Sequence, residues 1–291
     1  MVTDYIDGAV MERLRSLLMA ARFPVAGAFT GMHRSFLKGT AMEFAELRNY
    51  VPGDDLRRLD WKAYARSDKF FLKEYESETN ARAYFLIDTS GSMQFKGHDG
   101  GVRLDYARRL VAHLALLFLS QGDSVGVACE VAGQLRAQRL RGEVSLPQVI
   151  ETLRGLSAEG TGDVAAQLHE LTQHIPRRSM VIVLTDGLTA LDDLDDALQH
   201  LRHHAHEVSL LQLLSQRELE LDEPRGLSFR DIETQEVLQT DAPSVRAHYQ
   251  QELAAHQAQL RALCQRSMVR YRLLPTEDSV ESALYDLILA P

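Results

Sequence analysis

Two kinds of apolar pattern alternate along this chain, and their alternation predicts its architecture. Short, nearly continuous apolar runs lie at Tyr84 to Ile87, Ser124 to Glu130, Ser179 to Leu184 (SMVIVL), Val208 to Leu214 and Val269 to Leu274. Runs of this length read as buried strands, and those apolar on both faces as central strands of a parallel sheet. Between and after them come longer stretches that read as helices: Leu104 to Ser120, Leu146 to Leu156, Asp163 to His174, Leu191 to His204, Ser244 to Arg266 and Ser279 to Leu289. The first is apolar on most sides through Leu110, Val111, Leu114, Ala115, Leu117 and Phe118, which predicts deep burial. Leu135 to Leu140 reads as a strand joined through Ala132-Gly133 to the one before it, a hairpin that places one antiparallel edge strand. Strands alternating with helices predict an α/β fold, a doubly wound and mostly parallel sheet.

The flanking segments add to that core. Val10, Leu14, Leu17 and Leu18 recur at helical spacing, so residues 1 to about 22 read as an amphipathic helix closed by Pro24 and Gly27. Leu227 to Gln239 reads as a small hairpin, and the glycine-rich Gln94 to Arg103 as a mobile loop. The expected division is an N-terminal helix and linker (1–32), a segment packed on the main body (33–80), and the α/β domain (81–291).

Composition narrows the class. The 291 residues are 45% hydrophobic, enough for a large core, and 41 acidic against 32 basic residues give a net charge of −9. An acidic chain without a basic tail argues against nucleic acid or an anionic membrane as the main partner. Only two cysteines, Cys129 and Cys264, are present, which fits a reducing compartment rather than a disulfide framework. The first residues, MVTDYIDGAV, lack the basic-then-apolar order of a signal peptide. The longest apolar streak, Val111 to Leu119, is interrupted by His113 and is too short to span a bilayer. A cytoplasmic protein without an integral membrane segment is the expectation. Charge is uneven, however. Residues 33–73 carry nine Lys or Arg against six acids, and hold the only tryptophan, Trp61.

The candidate chemistry sits where the first central strand stops. After Ile87 the chain turns at once to Asp88-Thr89-Ser90-Gly91-Ser92-Met93. Three short oxygen side chains, Asp88, Ser90 and Ser92, stand at alternate positions at the carboxyl end of a strand, the edge where open α/β sheets bind ligands. An oxygen-only set of this kind suits a hard cation such as Mg²⁺, with Mn²⁺ or Ca²⁺ as substitutes. Asp186 follows the strand Ser179 to Leu184 at the same edge. This D-x-S-x-S loop resembles the metal-ion-dependent adhesion site of von Willebrand factor type A domains. The resemblance implies that Ser90, Ser92 and a threonine from a second loop ligate the ion, and that Asp88 and Asp186 hold metal-bound waters. A partner's carboxylate then takes the open position. The second loop departs from the type A pattern G-G-T-D/N-L. Here it reads Gly160-Thr161-Gly162-Asp163-Val164, with Gly162 in the threonine slot. Either the loop bulges so that Thr161 reaches the ion, or the site is degenerate and the metal absent.

A second resemblance covers the basic segment. Gly39, Glu43, Phe44, Arg48, Tyr50, Pro52, Gly53, Asp54, Asp55, Arg57, Asp60, Trp61, Ala65 and Arg66 match, with one slip at the glycine, the signature of the bacterial family called domain of unknown function fifty-eight. With DTSGSM the resemblance spans about residues 33 to 290. It implies a type A-like domain and a protein partner, a MoxR-type AAA ATPase or that ATPase's client, and hence a non-enzymatic interaction module. Two other readings stand beside it. One is a Mg²⁺-dependent hydrolase or phosphoryl-transfer enzyme with Asp88 as nucleophile, although position 90 is serine where such enzymes carry a second acid. The other is a metal-free scaffold that binds through residues 33–73, with Arg48, Arg57, Arg58 and Trp61 as the contact patch. His200, His203, His204 and His206 read as cations near a helix C-terminus in preference to a transition-metal site.

Overall fold

The computed structural model describes residues 5–21, 42–49, 64, 70–77, 81–131, 134–141, 146–159, 162–221, 227–230, 237–240 and 242–289. The chain forms two compact units. One comprises Met1–Ser35 together with Arg82–Pro291, and the other is Phe36–Ala81.

In the smaller unit, β1 (Met42–Asn49) pairs antiparallel with β2 (Phe71–Ser77), with a bulge between Phe44 and Glu46. The rings of Tyr64 and Phe70 stack at 4.6 Å. Arg57, Arg58 and Trp61 lie outside the described residues. Arg48 stands in β1 opposite Leu72, and its side chain is likewise outside them.

The larger unit has the α/β architecture expected from the apolar pattern. Six strands run in the order β10 (Arg270–Pro275), β7 (Glu207–Leu214), β6 (Met180–Thr185), β3 (Arg82–Ile87), β4 (Ser124–Val131) and β5 (Gln134–Arg141). All neighbours are parallel except β4 and β5, which form the antiparallel edge. A short antiparallel pair, β8 (Leu227–Arg230) with β9 (Val237–Thr240), stands apart from this sheet.

Helices cover both faces. Successive side chains of a strand point to opposite faces, so Phe85 and Ile87 of β3 enter one core and Tyr84 and Leu86 the other. Against the first face pack α1 (Gly8–Ala21), α2 (Arg103–Ser120), α3 (Leu146–Arg154) and α8 (Val280–Leu289). Against the second pack α4 (Val164–His174), α5 (Leu191–His203) and α7 (Ala242–Arg266). A short α6 (Gln216–Glu220) follows β7. The N-terminal helix is part of this body. Leu14 is 1% exposed, the Asp7 N–H donates to His113 Nε2 at 3.1 Å, and Arg13 pairs with Glu281.

The chain leaves β3 for β4 on one side and later returns to β6 on the other. The carboxyl ends of β3 and β6 therefore flank the switch point of the sheet, where the crevice of such folds opens. Among the described residues no helix is long and apolar enough to cross a membrane.

At the opposite edge, His206 precedes β7 fully buried, its Nδ1 accepting from the Ser179 N–H at 3.2 Å. Burial holds this imidazole neutral and pushes its pKa down to about 4. The unfolded chain binds the proton near the ordinary value of about 6.5, so it gains protons before the folded one as pH falls. His206 therefore costs stability as pH drops from about 6.5 to about 4, and nothing further below that. The melting temperature of the wild type is expected to fall more between pH 7 and pH 4 than that of His206→Gln; parallel curves would remove this assignment.

Candidate metal centre

Two parallel strands in register deliver two aspartates to one place. Ile87 lies opposite Leu184, and the Asp88 N–H continues the ladder by donating to the Leu184 carbonyl at 2.9 Å. The residue after each strand end is therefore part of one edge. The Thr185 hydroxyl bridges the two loops, donating to Asp88 Oδ2 at 2.8 Å and accepting from the Gly187 N–H at 3.0 Å. Asp88 and Asp186 are both nearly inaccessible, at 2% exposure each.

The loop after β3 is built to present oxygen. The Ser90 N–H donates to Asp88 Oδ1 at 2.8 Å, which folds the chain back on itself. A 3₁₀ turn at Gly91–Gln94 follows, and it sets the Ser90 and Ser92 hydroxyls 2.8 Å apart. Met93 anchors this turn, fully buried in the core beneath it. Truncating a buried methionine to alanine typically costs about 2–5 kcal/mol, so the methionine of DTSGSM fixes the loop that carries the hydroxyls. The glycine-rich stretch that follows, expected from sequence as a loop, is drawn together as a hydrogen-bonded turn. The Gly97 N–H donates to Gly101 O at 3.0 Å, the Arg103 N–H donates to Phe95 O at 3.0 Å, and Lys96 bridges Val102. Its closure sets where α2 begins.

That placement brings in residues the apolar pattern did not single out. Arg103, the first residue of α2, is 1% exposed. Its Nη1 donates to Asp186 Oδ2 at 2.8 Å and to the Ser92 carbonyl at 3.1 Å, and its Nη2 pairs with Glu218 of α6. Glu218 Oε2 also accepts from the Ser215 N–H at 2.8 Å, closing the capping box of α6. Gln212 of β7 donates to the Asp186 carbonyl at 2.8 Å while accepting from the Tyr271 hydroxyl at 2.6 Å. No local signal marks these partners, because the contacts of Arg103 with Asp186 and Glu218 and of Gln212 with Asp186 join positions 26 to 115 residues apart. A basic residue at a helix start reads as surface until the fold places acids against it.

The electrostatics follow from crowding two buried acids. Burial first, and the neighbouring Asp186 second, raise the Asp88 pKa to about 6, against the hydrogen bonds from Ser90 and Thr185 that favour the charged form. Positive charge beside Asp88 is in deficit. This, with two carboxylates and two paired hydroxyls at one edge, makes the donors compatible with a hard cation. Among the described residues no group of three or more His, Cys, Asp or Glu could hold a metal; the donors here are hydroxyls with two acids. Thr161 lies outside the described residues. Gly162 has φ +73°, which favours glycine, and Asp163 beside it caps α4 by accepting from the Ala166 N–H at 2.9 Å. Asp163 is thereby a helix cap, and the glycine in the threonine slot has a backbone reason. The histidines gather differently. His169 Nδ1 lies 3.0 Å from His200 Nδ1, and burial followed by neighbouring imidazoles lowers the pKa of His200.

Residues 46–259 match the family described as "Protein of unknown function DUF58". The uncharacterized protein Rv1480 of Mycobacterium tuberculosis (strain ATCC 25618 / H37Rv) is 26% identical over 264 residues, 88% of this chain and 81% of its own length. The uncharacterized protein YeaD of Bacillus subtilis (strain 168) is 38% identical over 52 residues, 18% of this chain and 13% of its own. Among solved structures, the conserved hypothetical protein BatB from Bacteroides thetaiotaomicron superposes with a TM-score of 0.49 at 18% identity, covering 72% of this chain and 97% of that one. The SpRpn10 VWA domain superposes with a TM-score of 0.45 at 10% identity, covering 71% of this chain and 94% of its own.

The loop after β6 supplies a test of the site's scaffold. Gly187 has φ +77°, and a Cβ there would lie 3.0 Å from Gln212 Nε2 and 3.1 Å from Leu260 Cδ2. Gly187→Ala is expected to lower unfolding stability by about 1–3 kcal/mol, read as a shift of the urea midpoint. An unchanged midpoint would mean the loop is free to relax.

Proposed function

The chain belongs to the DUF58 family of proteins of unknown function, and on that premise we propose that it is a non-enzymatic protein–protein interaction module whose contact point is an oxygen-lined cation site at the sheet edge. The observation that carries this reading is the pairing of the Ser90 and Ser92 hydroxyls at 2.8 Å beside two buried aspartates on adjacent strand ends. Ser90 and Ser92 would hold Mg²⁺, with Asp88 and Asp186 as acidic support and Thr161 as the contribution of the second loop.

When bound, the ion supplies an incompletely neutralised positive charge that accepts an acidic group from a partner. The chain's own residues do the remaining work. Thr185 and the Ser90 N–H orient Asp88 through its two oxygens. The Leu188 N–H holds Asp186 Oδ1 at 3.0 Å. Leu188 itself, 62% exposed, offers an apolar contact at the rim. Both Asp88 oxygens are engaged by the scaffold, which suits a support role better than that of a nucleophile. The partner we propose, a MoxR-type AAA ATPase or its client met in the cytoplasm, rests on the family resemblance that spans about residues 33 to 290.

The test is capture of a purified MoxR-type ATPase by this chain with Mg²⁺ and with EDTA, in wild type and Asp88→Ala. Binding that falls at least tenfold on chelation and equally in the variant is expected. Binding indifferent to both would reject the metal bridge while leaving the fold untouched.

A further inference from the structure

We propose that Arg103 is a built-in cation that competes with the divalent ion for Asp186, so that the site alternates between an arginine-closed state and a metal-loaded one. The inference rests on reading this edge as a cation site and concerns what controls its loading.

Four observations carry it. First, Arg103 opens α2, the end of a helix where the aligned peptide dipoles disfavour positive charge. A fully buried guanidinium there depends on the acids around it for compensating charge. Second, a single nitrogen, Nη1, touches both loops that furnish the proposed donors, through Asp186 Oδ2 and the Ser92 carbonyl. It holds one of those donors with the charge the ion would bring. Third, the guanidinium has a second acid. Its Nη2 pairs with Glu218, and the Phe95 ring lies 5.4 Å from its Cζ. Release of Asp186 would leave Arg103 paired with Glu218 and backed by an aromatic face instead of stranded. Fourth, Glu218 is anchored through the Ser215 N–H to the end of β7. The exchange of partners therefore links the cation site to a third loop of the same edge.

The charge arithmetic gives the direction. Asp88, Asp186 and Glu218 carry three potential negative charges against the one positive charge of Arg103. Taking Arg103 and Glu218 away together leaves both aspartates to the ion. Removing Glu218 alone leaves Arg103 wholly to Asp186.

The experiment is a Mn²⁺ titration of the full chain, with free Mn²⁺ read by electron paramagnetic resonance and folding checked by circular dichroism. Arg103→Met combined with Glu218→Gln is expected to bind Mn²⁺ at least tenfold more tightly than wild type. Glu218→Gln alone is expected to bind several-fold more weakly than wild type, and it decides the matter should the double variant not fold. Equal or weaker binding by a folded double variant overturns the proposal and makes Arg103 a positioning residue of the loaded site. Tighter or unchanged binding by Glu218→Gln does the same. If no variant and no wild type binds Mn²⁺, the cation-site reading itself falls, and the competition with it.

Discussion

Everything at this edge depends on the register between two parallel strands. Because β3 and β6 are adjacent and in step, the residues that end them, Asp88 and Asp186, are brought to one place and buried there. Two acids out of water repel, and each loses hydration. The surroundings are the answer to that cost. A threonine hydroxyl and two backbone N–H groups take up carboxylate oxygens, and a buried guanidinium neutralises one of the pair. The compensation is uneven. Asp186 has a full charge partner, whereas burial and the charge of Asp186 raise the Asp88 pKa against the hydrogen bonds that Asp88 accepts.

The loops that surround the aspartates are held by contacts that lie below them. Met93 plugs the first into the core. Gly187 turns the second through a backbone conformation that a side chain resists. Gln94 Nε2 donates to the Ala158 carbonyl at 2.6 Å, tying the first loop to the chain that leads into α4. Such packing fixes the Ser90 and Ser92 hydroxyls relative to the two aspartates.

How much of this was legible in the residues differs by level. The α/β body was, because its strands are apolar on both faces and its helices carry wide apolar stripes. The placement of Asp88, Ser90, Ser92 and Asp186 at one sheet edge was, because they stand directly after apolar runs that end as parallel strands. The strand Met42–Asn49 was not, since Glu43, Glu46 and Arg48 break its apolar pattern and its partner, Phe71–Ser77, is remote in sequence. Arg103 and Glu218 were not either. Burial of a charge is decided by groups remote in sequence, and the residue's own neighbours said only that a helix begins. The closed turn at 96–102 escaped for a similar reason, as glycines signal freedom until a hydrogen-bonded bridge uses it.

The order of the units along the chain has a practical consequence. The family match opens at residue 46, yet the larger compact unit draws on the helix Gly8–Ala21 as well. Val10, Met11 and Leu14 complete the core over α2 and α8, and His113 takes its backbone partner from Asp7. A fragment whose start is cut at residue 46 would keep Asp88, Ser90, Ser92 and Asp186 but bare an oily stripe on the layer of α2 and α8, and would tend to clump for reasons unrelated to that sheet edge. The smaller unit is thus an insertion within a single folding body, and any dissection of the two must splice the chain across Phe36–Ala81, leaving its beginning attached.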